Sequence, residues 1–351
     1  MSRFWSPIVD RLVPYTPGEL PKTSDVIKLN TNEHPYGPSP QALKAIQEET
    51  DDRLRLYPDP GAVELKRAIG GSHRLDKDHV FVGNGSDEVL AHAFRAFFTG
   101  KDPILFPDIT YSFYPTYCLL FGIECRKVPL TDGFEVDLAD YQNQRGGIIL
   151  ANPNAPTGIA LPLKSIETLL SQNPDCVVII DEAYVDFGGE SAASLIPDHD
   201  NLLVIQTFSK SRGLAGMRVG FALTQTHLIE ALNRVKDSFN SYPLGRLSQA
   251  AALAAWDDKD WFETTRHEVM AGRDTLTAQL TGLGFTVLPS ATNFVFVSHP
   301  KVTAASLHAA LKAVGILVRH FKQPRIENWL RITVGTSDQS ERLVDALKRI
   351  L

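Results

Sequence analysis

The sequence predicts an α/β fold, in which a large domain with a mainly parallel sheet flanked by helices precedes a smaller α+β domain. From about Pro40 onward, short apolar runs alternate with amphipathic stretches, in the order strand, helix, strand. The runs are aliphatic almost throughout, which is typical of strands buried on both faces of a parallel sheet. The 351 residues exceed the size of one core, because single cores stop growing near ~250–300 residues.

The elements of the large domain follow from these runs. VFVG predicts a strand over 80–83, and the next stretch predicts a helix over 86–98 that we expect Ser86 to cap. Further strands are predicted for the runs PILF, GIILAN, CVVIID, LLVIQT and RVGFAL.

The pattern changes after Leu247, where a long helical stretch begins that we expect to break around Asp257 and Asp258. The remainder combines the runs FTVLPS, NFVFVS, ILVRHF and LRITVG with a helix over 304–314 and a last helix from Ser337. We therefore expect a Pro-rich N-terminal arm over 1–28, a large domain over 29–255 and a small C-terminal domain over 256–351.

Composition argues against several classes of function. The chain has 35 Lys and Arg against 41 Asp and Glu, a net charge of −6, and no block of basic residues, which disfavours nucleic acid as a partner. The N-terminus lacks the pattern of a secretory signal, and the apolar runs are too short to span a bilayer. Cys118, Cys125 and Cys176 have neither metal-ligand nor redox-motif spacing. We expect a soluble, cytoplasmic protein with reduced thiols and no metal.

Candidate site residues follow the predicted strands, because ligands of open parallel sheets bind at the carboxyl ends of the strands. After VFVG comes GNGSDE, where Gly83 and Gly85 permit a tight turn and the first amides of the next helix can hold a phosphate. A plain turn from strand to helix explains this segment equally well when it is taken alone.

The run CVVIIDEAY ends with Asp181, Glu182 and Tyr184. A similar run precedes the magnesium-handling carboxylate of nucleotide hydrolases, but those proteins require a G-x-x-x-x-G-K-[ST] loop that this sequence lacks. A capping Asp at a strand end is the structural alternative.

The segment LLVIQTFSKSRGLAGMRVG places Ser209 and Lys210 after a buried strand and Arg218 eight residues later. Most lysines are solvated surface charges, yet this one lies between hydroxyls and precedes a loop of small residues. A lysine in such a cleft can act as a nucleophile toward a carbonyl. A last segment, ANPNAPTG, sets Asn152 and Asn154 around a proline-stiffened turn, which is also its simplest structural explanation.

Together these segments provide what pyridoxal 5'-phosphate (PLP) requires. A carboxylate keeps the pyridine nitrogen protonated, a lysine bonds the aldehyde, and hydroxyls, amides and an arginine hold the phosphate. The order of the segments along one sheet carries this inference.

The chain resembles the fold-type I, PLP-dependent aminotransferases, and among them the histidinol-phosphate aminotransferases, over essentially its full length. The motifs that carry the resemblance are LNTNEHPYGPSP, RLYPDP, GNGSDE, PDITYSFYP, NPNAPTG, IDEAYVDF, TFSKSRGLAGMRVG, NSYPL and LRITVGT. The resemblance implies a seven-stranded, mainly parallel sheet in the large domain and a homodimer with shared active sites.

The resemblance also implies a role for each matching residue. Lys210 would bind the cofactor and act as the general base, Asp181 would pair with the pyridine nitrogen, and Tyr184 would hydrogen-bond the ring oxygen. Tyr111 would stack on the ring. The groups expected around the phosphate are the amides of Gly85, Ser86 and Asp87, the side chains of Ser209 and Arg218, and Tyr57 of the neighbouring subunit.

One position departs from the family pattern. The family usually has asparagine immediately before Pro-Thr-Gly, where it contacts the ring oxygen, whereas this chain has Ala155 there and Asn154 one residue earlier. Either the turn shifts so that Asn154 serves, or Tyr184 holds that oxygen with different help.

The resemblance places the substrate between two arginines. Arg319 and Arg331 match the family's anion-binding residues, and an arginine fork can meet either carboxylate or phosphate. A surface ion pair is the structural alternative for Arg319. Tyr15, Asn32 and Tyr242 are expected to line the same cleft.

The implied reaction moves the amino group of L-histidinol phosphate to 2-oxoglutarate and yields imidazole acetol phosphate and L-glutamate, a step of histidine biosynthesis. An aromatic amino-acid aminotransferase and a PLP-dependent phosphothreonine decarboxylase remain as alternatives. Two hypotheses lie outside this class. A nucleotide-binding ATPase is disfavoured because this sequence lacks the phosphate loop that such a protein needs. A non-catalytic PLP-binding protein is disfavoured because it is not expected to keep Lys210, Asp181 and Arg218 together.

Overall fold

The computed structural model describes residues 2–13 and 25–351. Its strands, numbered in chain order, are β1 (Ile27–Leu29), β2 (Val80–Gly83), β3 (Ile104–Pro107), β4 (Cys125–Val128), β5 (Gly147–Ala151), β6 (Val178–Asp181), β7 (Leu202–Thr207), β8 (Gly220–Thr224), β9 (Thr286–Val287), β10 (Phe294–Ser298), β11 (Ile316–His320) and β12 (Leu330–Thr333). Its α-helices are α1 (Pro7–Arg11), α2 (Pro40–Glu48), α3 (Val63–Ser72), α4 (Ser86–Phe97), α5 (Phe113–Phe121), α6 (Leu163–Ser171), α7 (Thr226–Asp237), α8 (Arg246–Asp257), α9 (Lys259–Gly282), α10 (Ala304–Ala313) and α11 (Ser337–Ile350).

The larger sheet has the strand order β2-β8-β7-β6-β5-β3-β4 within the described residues. Strands β3 to β7 pair in parallel, whereas β8 pairs antiparallel with both of its neighbours. The predicted α/β fold with a mainly parallel sheet of seven strands is therefore confirmed.

Both faces of the larger sheet are covered by helices. In β5, β6 and β7, alternate residues enter two separate apolar clusters, so that Ile180 packs on one face and Ile179 on the other. Helices α3, α6 and α8 cover the first face, and α4, α5 and α7 cover the second. Burying one such side chain stabilises the fold by about 1.5–3 kcal/mol, which explains why these strands are aliphatic throughout.

A second sheet has the order β1-β11-β12-β10-β9 in the part of the chain that the structure describes, and it has an apolar core of its own. Strand β1 pairs in parallel with β11, Ile27 opposite Ile316, although the sequence pattern predicts no strand there. The division into an arm, a large domain and a small domain stays a prediction. Helices α8 and α9 separate next to Asp258, as the sequence predicts.

Two local expectations differ from the structure, and one strand was not predicted. The N-cap of α4 is Gly85 rather than Ser86, because the backbone there has a φ of +86°, which glycine adopts without steric cost. Strand β9 covers only Thr286–Val287 of the run FTVLPS. Strand β4 was not predicted, because it is an edge strand whose first three residues are exposed and polar or small.

Among the described helices, none combines the length and apolar character needed to cross a bilayer.

Candidate active site

Two adjoining cavities lie at the carboxyl ends of the central strands. The first, which we call the lysine cavity, has a volume of about 190 Å³ and is lined by Lys210, Asp181, Ser86, Arg218 and further residues. The second, the arginine cavity, has a volume of about 240 Å³ and is lined by Arg319 and Arg331 among others. Five residues line both cavities, namely Thr31, Tyr111, Ala155, Tyr184 and Lys210.

Lys210 stands at the junction of the two cavities. It follows β7 within a turn, so that the buried strand fixes its backbone at the carboxyl edge of the sheet. Its Nζ donates to the carbonyl oxygen of Thr31 at 3.3 Å and lies 5.6 Å from the ring centroid of Tyr184. The amine is therefore held inside the site and not on the protein surface.

Asp181 ends β6 and is buried beside the lysine. Its Oδ2 accepts from the Tyr114 hydroxyl at 2.8 Å, and its Oδ1 accepts from the Ala183 amide at 3.3 Å. Burial raises the pKa of Asp181 to about 6, and the two donors partly oppose this effect because they stabilise the charged form. At neutral pH the carboxylate is predominantly ionised, and it presents a buried negative charge to the lysine cavity.

Tyr184 is held by Asn32, a residue far away in sequence. Asn32 Nδ2 donates to the Tyr184 hydroxyl oxygen at 2.9 Å. Asn32 is itself fixed, because its Oδ1 accepts from the Thr333 hydroxyl at 3.0 Å and its carbonyl accepts from Asn293 Nδ2 at 3.0 Å. Since Tyr184 accepts from Asn32, its own proton is left to donate to a bound group.

The first turn of α4 forms part of the wall of the lysine cavity. The amides of Ser86 and Asp87 are at the first positions of the helix, where backbone amides have no intrahelical partner. The amide of Gly85 instead donates to the Gly83 carbonyl oxygen at 2.8 Å. A Cβ on Gly85 would lie 2.4 Å from Arg218 Nη2, so glycine there lets the guanidinium approach the helix terminus. A helix N-terminus beside a guanidinium suits a phosphate.

The side chain of Asp87 connects the predicted ring-stacking and phosphate-binding residues. Its Oδ2 pairs with Arg218 Nη2 at 3.2 Å, and its Oδ1 accepts from the Tyr111 hydroxyl at 2.8 Å. Arg218 Nη1 also lies 3.5 Å from Ser209 Oγ. Burial and the Asp87 carboxylate raise the pKa of Tyr111, so that this hydroxyl stays protonated and continues to donate.

Asn154 points away from the two cavities. Its Nδ2 donates to the Ile109 carbonyl oxygen and the Thr157 hydroxyl, both at 3.0 Å, and its Oδ1 accepts from Thr110 at 2.9 Å. Ala155 lines both cavities in its place. The turn therefore does not shift so as to present the Asn154 side chain, whereas Tyr184 lines both cavities.

Two of the predicted tyrosines, Tyr57 and Tyr242, contact each other outside the two cavities. Tyr57 is 78% exposed and stacks on Tyr242, with ring centroids 4.6 Å apart. Neither residue lines the lysine or the arginine cavity. Tyr15 lies outside the described residues.

Arg319 and Arg331 are directly opposite each other on β11 and β12. Arg331 donates from Nη2 to the Asn30 carbonyl oxygen at 3.0 Å, and its guanidinium lies over the rings of Phe294 and Phe321. Arg319 also lies over Phe321, at 5.8 Å. Two guanidiniums on one wall make the arginine cavity suited to an anion.

The structure brings into the site two residues that were not among the predicted site residues. Glu33 and Thr31 line the lysine cavity, and both contact Lys28. Glu182, the residue after Asp181, lines neither cavity. Its carboxylate accepts from the Ser191 hydroxyl, the Ala192 amide and Gln206 Nε2, and it thereby links the loop at 191–192 to β7. Their positions depend on contacts between distant segments, although Glu33 belongs to the motif LNTNEHPYGPSP.

Comparison with known proteins identifies the family. The model of the family "Aminotransferase class I and II" matches residues 24–347. The chain belongs to the class I and II aminotransferases. Full-length relatives include the histidinol-phosphate aminotransferase of Acetobacter pasteurianus, 59% identical over 100% of this chain and 99% of that protein. Histidinol-phosphate aminotransferase 2 of Rhizobium meliloti is 58% identical, with 100% of both chains covered.

Solved structures share the fold. A histidinol-phosphate aminotransferase from Sinorhizobium meliloti, in complex with pyridoxal-5'-phosphate, superposes with a TM-score of 0.88 at 24% identity, covering 100% of this chain and 98% of that one. A tetra mutant of Thermus thermophilus aspartate aminotransferase gives 0.83 at 19% identity, with both chains covered completely. These similarities confirm the predicted fold-type I architecture.

Proposed function

We propose that the chain is a PLP-dependent histidinol-phosphate aminotransferase, which transfers the amino group of L-histidinol phosphate to 2-oxoglutarate. The observation that carries the proposal is the convergence of Lys210, Asp181, Tyr184 and Arg218 on one cavity. The full-length relatives named histidinol-phosphate aminotransferase support the same substrate.

The groups that line the lysine cavity suit PLP chemically. The buried Asp181 carboxylate suits a protonated ring nitrogen, and the start of α4 with Arg218 and Ser209 suits the phosphate. Tyr111 provides a ring face on the cavity wall. When bound there, PLP supplies an electron sink that makes the substrate Cα proton acidic.

The residues of the chain perform the remaining steps. Lys210 Nζ removes the proton from the substrate Cα and returns it on the cofactor side, because it is the amine that lines both cavities. Tyr184, which is anchored by Asn32, would donate its hydroxyl proton to the ring oxygen. The Asp181 carboxylate would pair with the ring nitrogen and favour its protonated form.

The arginine cavity receives the anionic end of each substrate. Histidinol phosphate has a phosphate and no carboxylate, whereas 2-oxoglutarate has two carboxylates. The guanidiniums of Arg319 and Arg331 accept either kind of anion, since an arginine fork binds phosphate and carboxylate alike. The products are imidazole acetol phosphate and L-glutamate.

We further propose a cytoplasmic homodimer in which Tyr57 contacts the phosphate in the neighbouring subunit. Its 78% exposure and its place outside the chain's own cavities support this arrangement. The described cysteines, Cys118, Cys125 and Cys176, are free thiols, as expected for a reducing compartment. Light scattering of the pure protein tests the dimer, and a monomer that remains fully active refutes it.

The role of Lys210 is tested by Lys210→Ala with Lys44→Ala as the control, since Lys44 is exposed on α2. Borohydride reduction of the PLP-loaded parent and the control, followed by peptide mapping, is expected to find the pyridoxyl group on Lys210. The Lys210→Ala variant is expected to lose label and turnover. Turnover at the parent rate in that variant refutes the proposal.

The substrate is tested by offering L-histidinol phosphate, L-phenylalanine and L-phosphothreonine separately to the PLP-loaded enzyme. Loss of the cofactor absorbance with histidinol phosphate, and its recovery on adding 2-oxoglutarate, is the expected result. A response to phenylalanine alone indicates an aromatic amino-acid aminotransferase, and release of carbon dioxide from phosphothreonine indicates the decarboxylase.

A further inference from the structure

Tyr114 contacts the carboxylate that the proposed function places at the cofactor nitrogen. It lies on α5, is fully buried, and donates its hydroxyl to Asp181 Oδ2 at 2.8 Å. The other oxygen, Oδ1, accepts from the Ala183 amide. With one donor on each oxygen, the plane of the carboxylate is fixed.

The Tyr114 ring is itself held on several sides. Its centroid is 5.5 Å from that of Tyr111, the residue expected over the cofactor ring, at an interplanar angle of 83°. Phe106 packs edge-on at 5.9 Å, and Phe94 stacks at 6.3 Å. Because the ring is enclosed, the hydroxyl cannot swing away from Asp181 without opening the core.

Other polar groups near Asp181 act on it less directly. The Asp87 carboxylate raises the pKa of Asp181, and the Lys210 amine lowers it. The hydroxyls of Tyr111 and Tyr117 both bond to Asp87. Tyr114 is thus the side chain in direct hydrogen-bond contact with the carboxylate within the described residues.

We propose that Tyr114 is a positioning residue, which keeps Asp181 ionised and oriented toward the cofactor nitrogen. This inference rests on the proposed function. A hydrogen bond to a buried carboxylate favours the charged form, and the charged form is the one that pairs with a protonated pyridine. Loss of the hydroxyl leaves a buried oxygen without its donor, so the carboxylate takes up a proton at higher pH.

The test compares Tyr114→Phe with Tyr117→Phe, a matched loss of hydroxyl one turn along the same helix. The Tyr117 side chain is similarly buried and donates to the Asp87 carbonyl oxygen at 3.0 Å. The dissociation constant of PLP for the cofactor-free proteins is measured by fluorescence quenching between pH 5 and 9. The parent is expected to lose affinity as the pH falls through about 6. In Tyr114→Phe this midpoint is expected to rise by roughly one pH unit, with roughly tenfold weaker binding near pH 6.5.

The outcomes separate this inference from the proposed function. An unchanged midpoint in Tyr114→Phe, or an equal rise in Tyr117→Phe, overturns the role of Tyr114 alone. In an Asp181→Asn background, Tyr114→Phe is expected to cause no further change in the dissociation constant of PLP. The first substitution has already removed the carboxylate that Tyr114 contacts, so the two effects are not additive. A parent protein that binds no PLP at any pH refutes the proposed function itself.

A second variant guards against misfolding of Tyr114→Phe, which is checked by circular dichroism. Site-specific replacement of Tyr114 by 3-fluorotyrosine keeps the ring and makes the hydroxyl a stronger donor. The midpoint of PLP binding is then expected to move below that of the parent. A midpoint at or above the parent value overturns the inference.

Discussion

Substitution of Gly220 by alanine tests the geometry of the phosphate site. Gly220 begins β8 directly behind the first turn of α4, and an added Cβ would lie 2.2 Å from the Ser86 amide nitrogen and 2.5 Å from the Gly85 carbonyl carbon. Ordinary contact begins at 3.4 Å, so the two atoms must move apart by about 1.2 Å. Both neighbours are backbone atoms, and therefore no change of rotamer relieves the contact.

The helix terminus is the part that must move. Gly220 pairs with Gly83 on β2 and with Thr207 on β7, so the strand is held from both sides. A displacement of about 1 Å breaks the alignment of the Ser86 amide with a bound phosphate. Loss of one hydrogen bond to a charged group costs about 1.5–3 kcal/mol, or roughly 10- to 100-fold in the dissociation constant of PLP. The crowding itself destabilises the fold by about 1–3 kcal/mol.

The assay is a fluorescence titration of the cofactor-free Gly220→Ala protein with PLP, beside urea unfolding of the same protein. Gly216→Ala is the control, because a Cβ there meets nothing within 4 Å. The control is expected to bind PLP like the parent. If folded Gly220→Ala also binds PLP with the parent dissociation constant, the phosphate does not rest on the start of α4 and the reasoning is wrong.

Three further predictions concern other parts of the site. Asn32→Ala removes the donor to Tyr184, and we expect about tenfold lower kcat with little change in the Kd of PLP; an unchanged kcat would contradict the anchoring role. Arg331→Lys keeps the positive charge and loses the forked guanidinium, so the KM for histidinol phosphate is expected to rise roughly 10- to 100-fold in steady-state assays. A KM equal to that of the parent argues against binding of a substrate anion at Arg331. Burial raises the pKa of Glu182 to about 7 from 4.5, so the stability it confers is complete below pH 4.5 and lost as the pH rises through 7. The free energy of unfolding, measured in urea, is therefore expected to vary less between pH 5 and 8 in Glu182→Gln than in the parent, by up to about 3 kcal/mol. An equal dependence of this free energy on pH in the two proteins would refute this.

The site was predictable from sequence wherever a residue follows a buried strand. Asp181 and Lys210 end or follow aliphatic runs, and parallel strands bring their carboxyl ends to one edge of the sheet. The two residues therefore meet for a reason that the local pattern already contains. Arg319 and Arg331 are likewise paired by two apolar runs of the second sheet.

Contacts between distant segments were not predictable in this way. The Asn32 and Thr333 side chains are hydrogen-bonded although they are 301 positions apart in the sequence. Strand β1 pairs with β11 through only three residues, too short a run to predict a strand from the sequence. The direction of Asn154 was also open, because a turn of the same sequence can present its amide to either side. Hydrogen bonds with the Ile109 carbonyl oxygen and the Thr110 hydroxyl decided it.

The sequence by itself determined the α/β class, most of the strands and the lysine and carboxylate at the ends of two of them, since hydrophobic periodicity is a local property. The tertiary structure alone decided which side chains hold that lysine and carboxylate in place. Tyr114 reaches Asp181, and Asp87 joins Tyr111 to Arg218, through the packing of helices on the sheet. Such contacts depend on the orientation of whole elements, and no spacing within one element encodes that orientation.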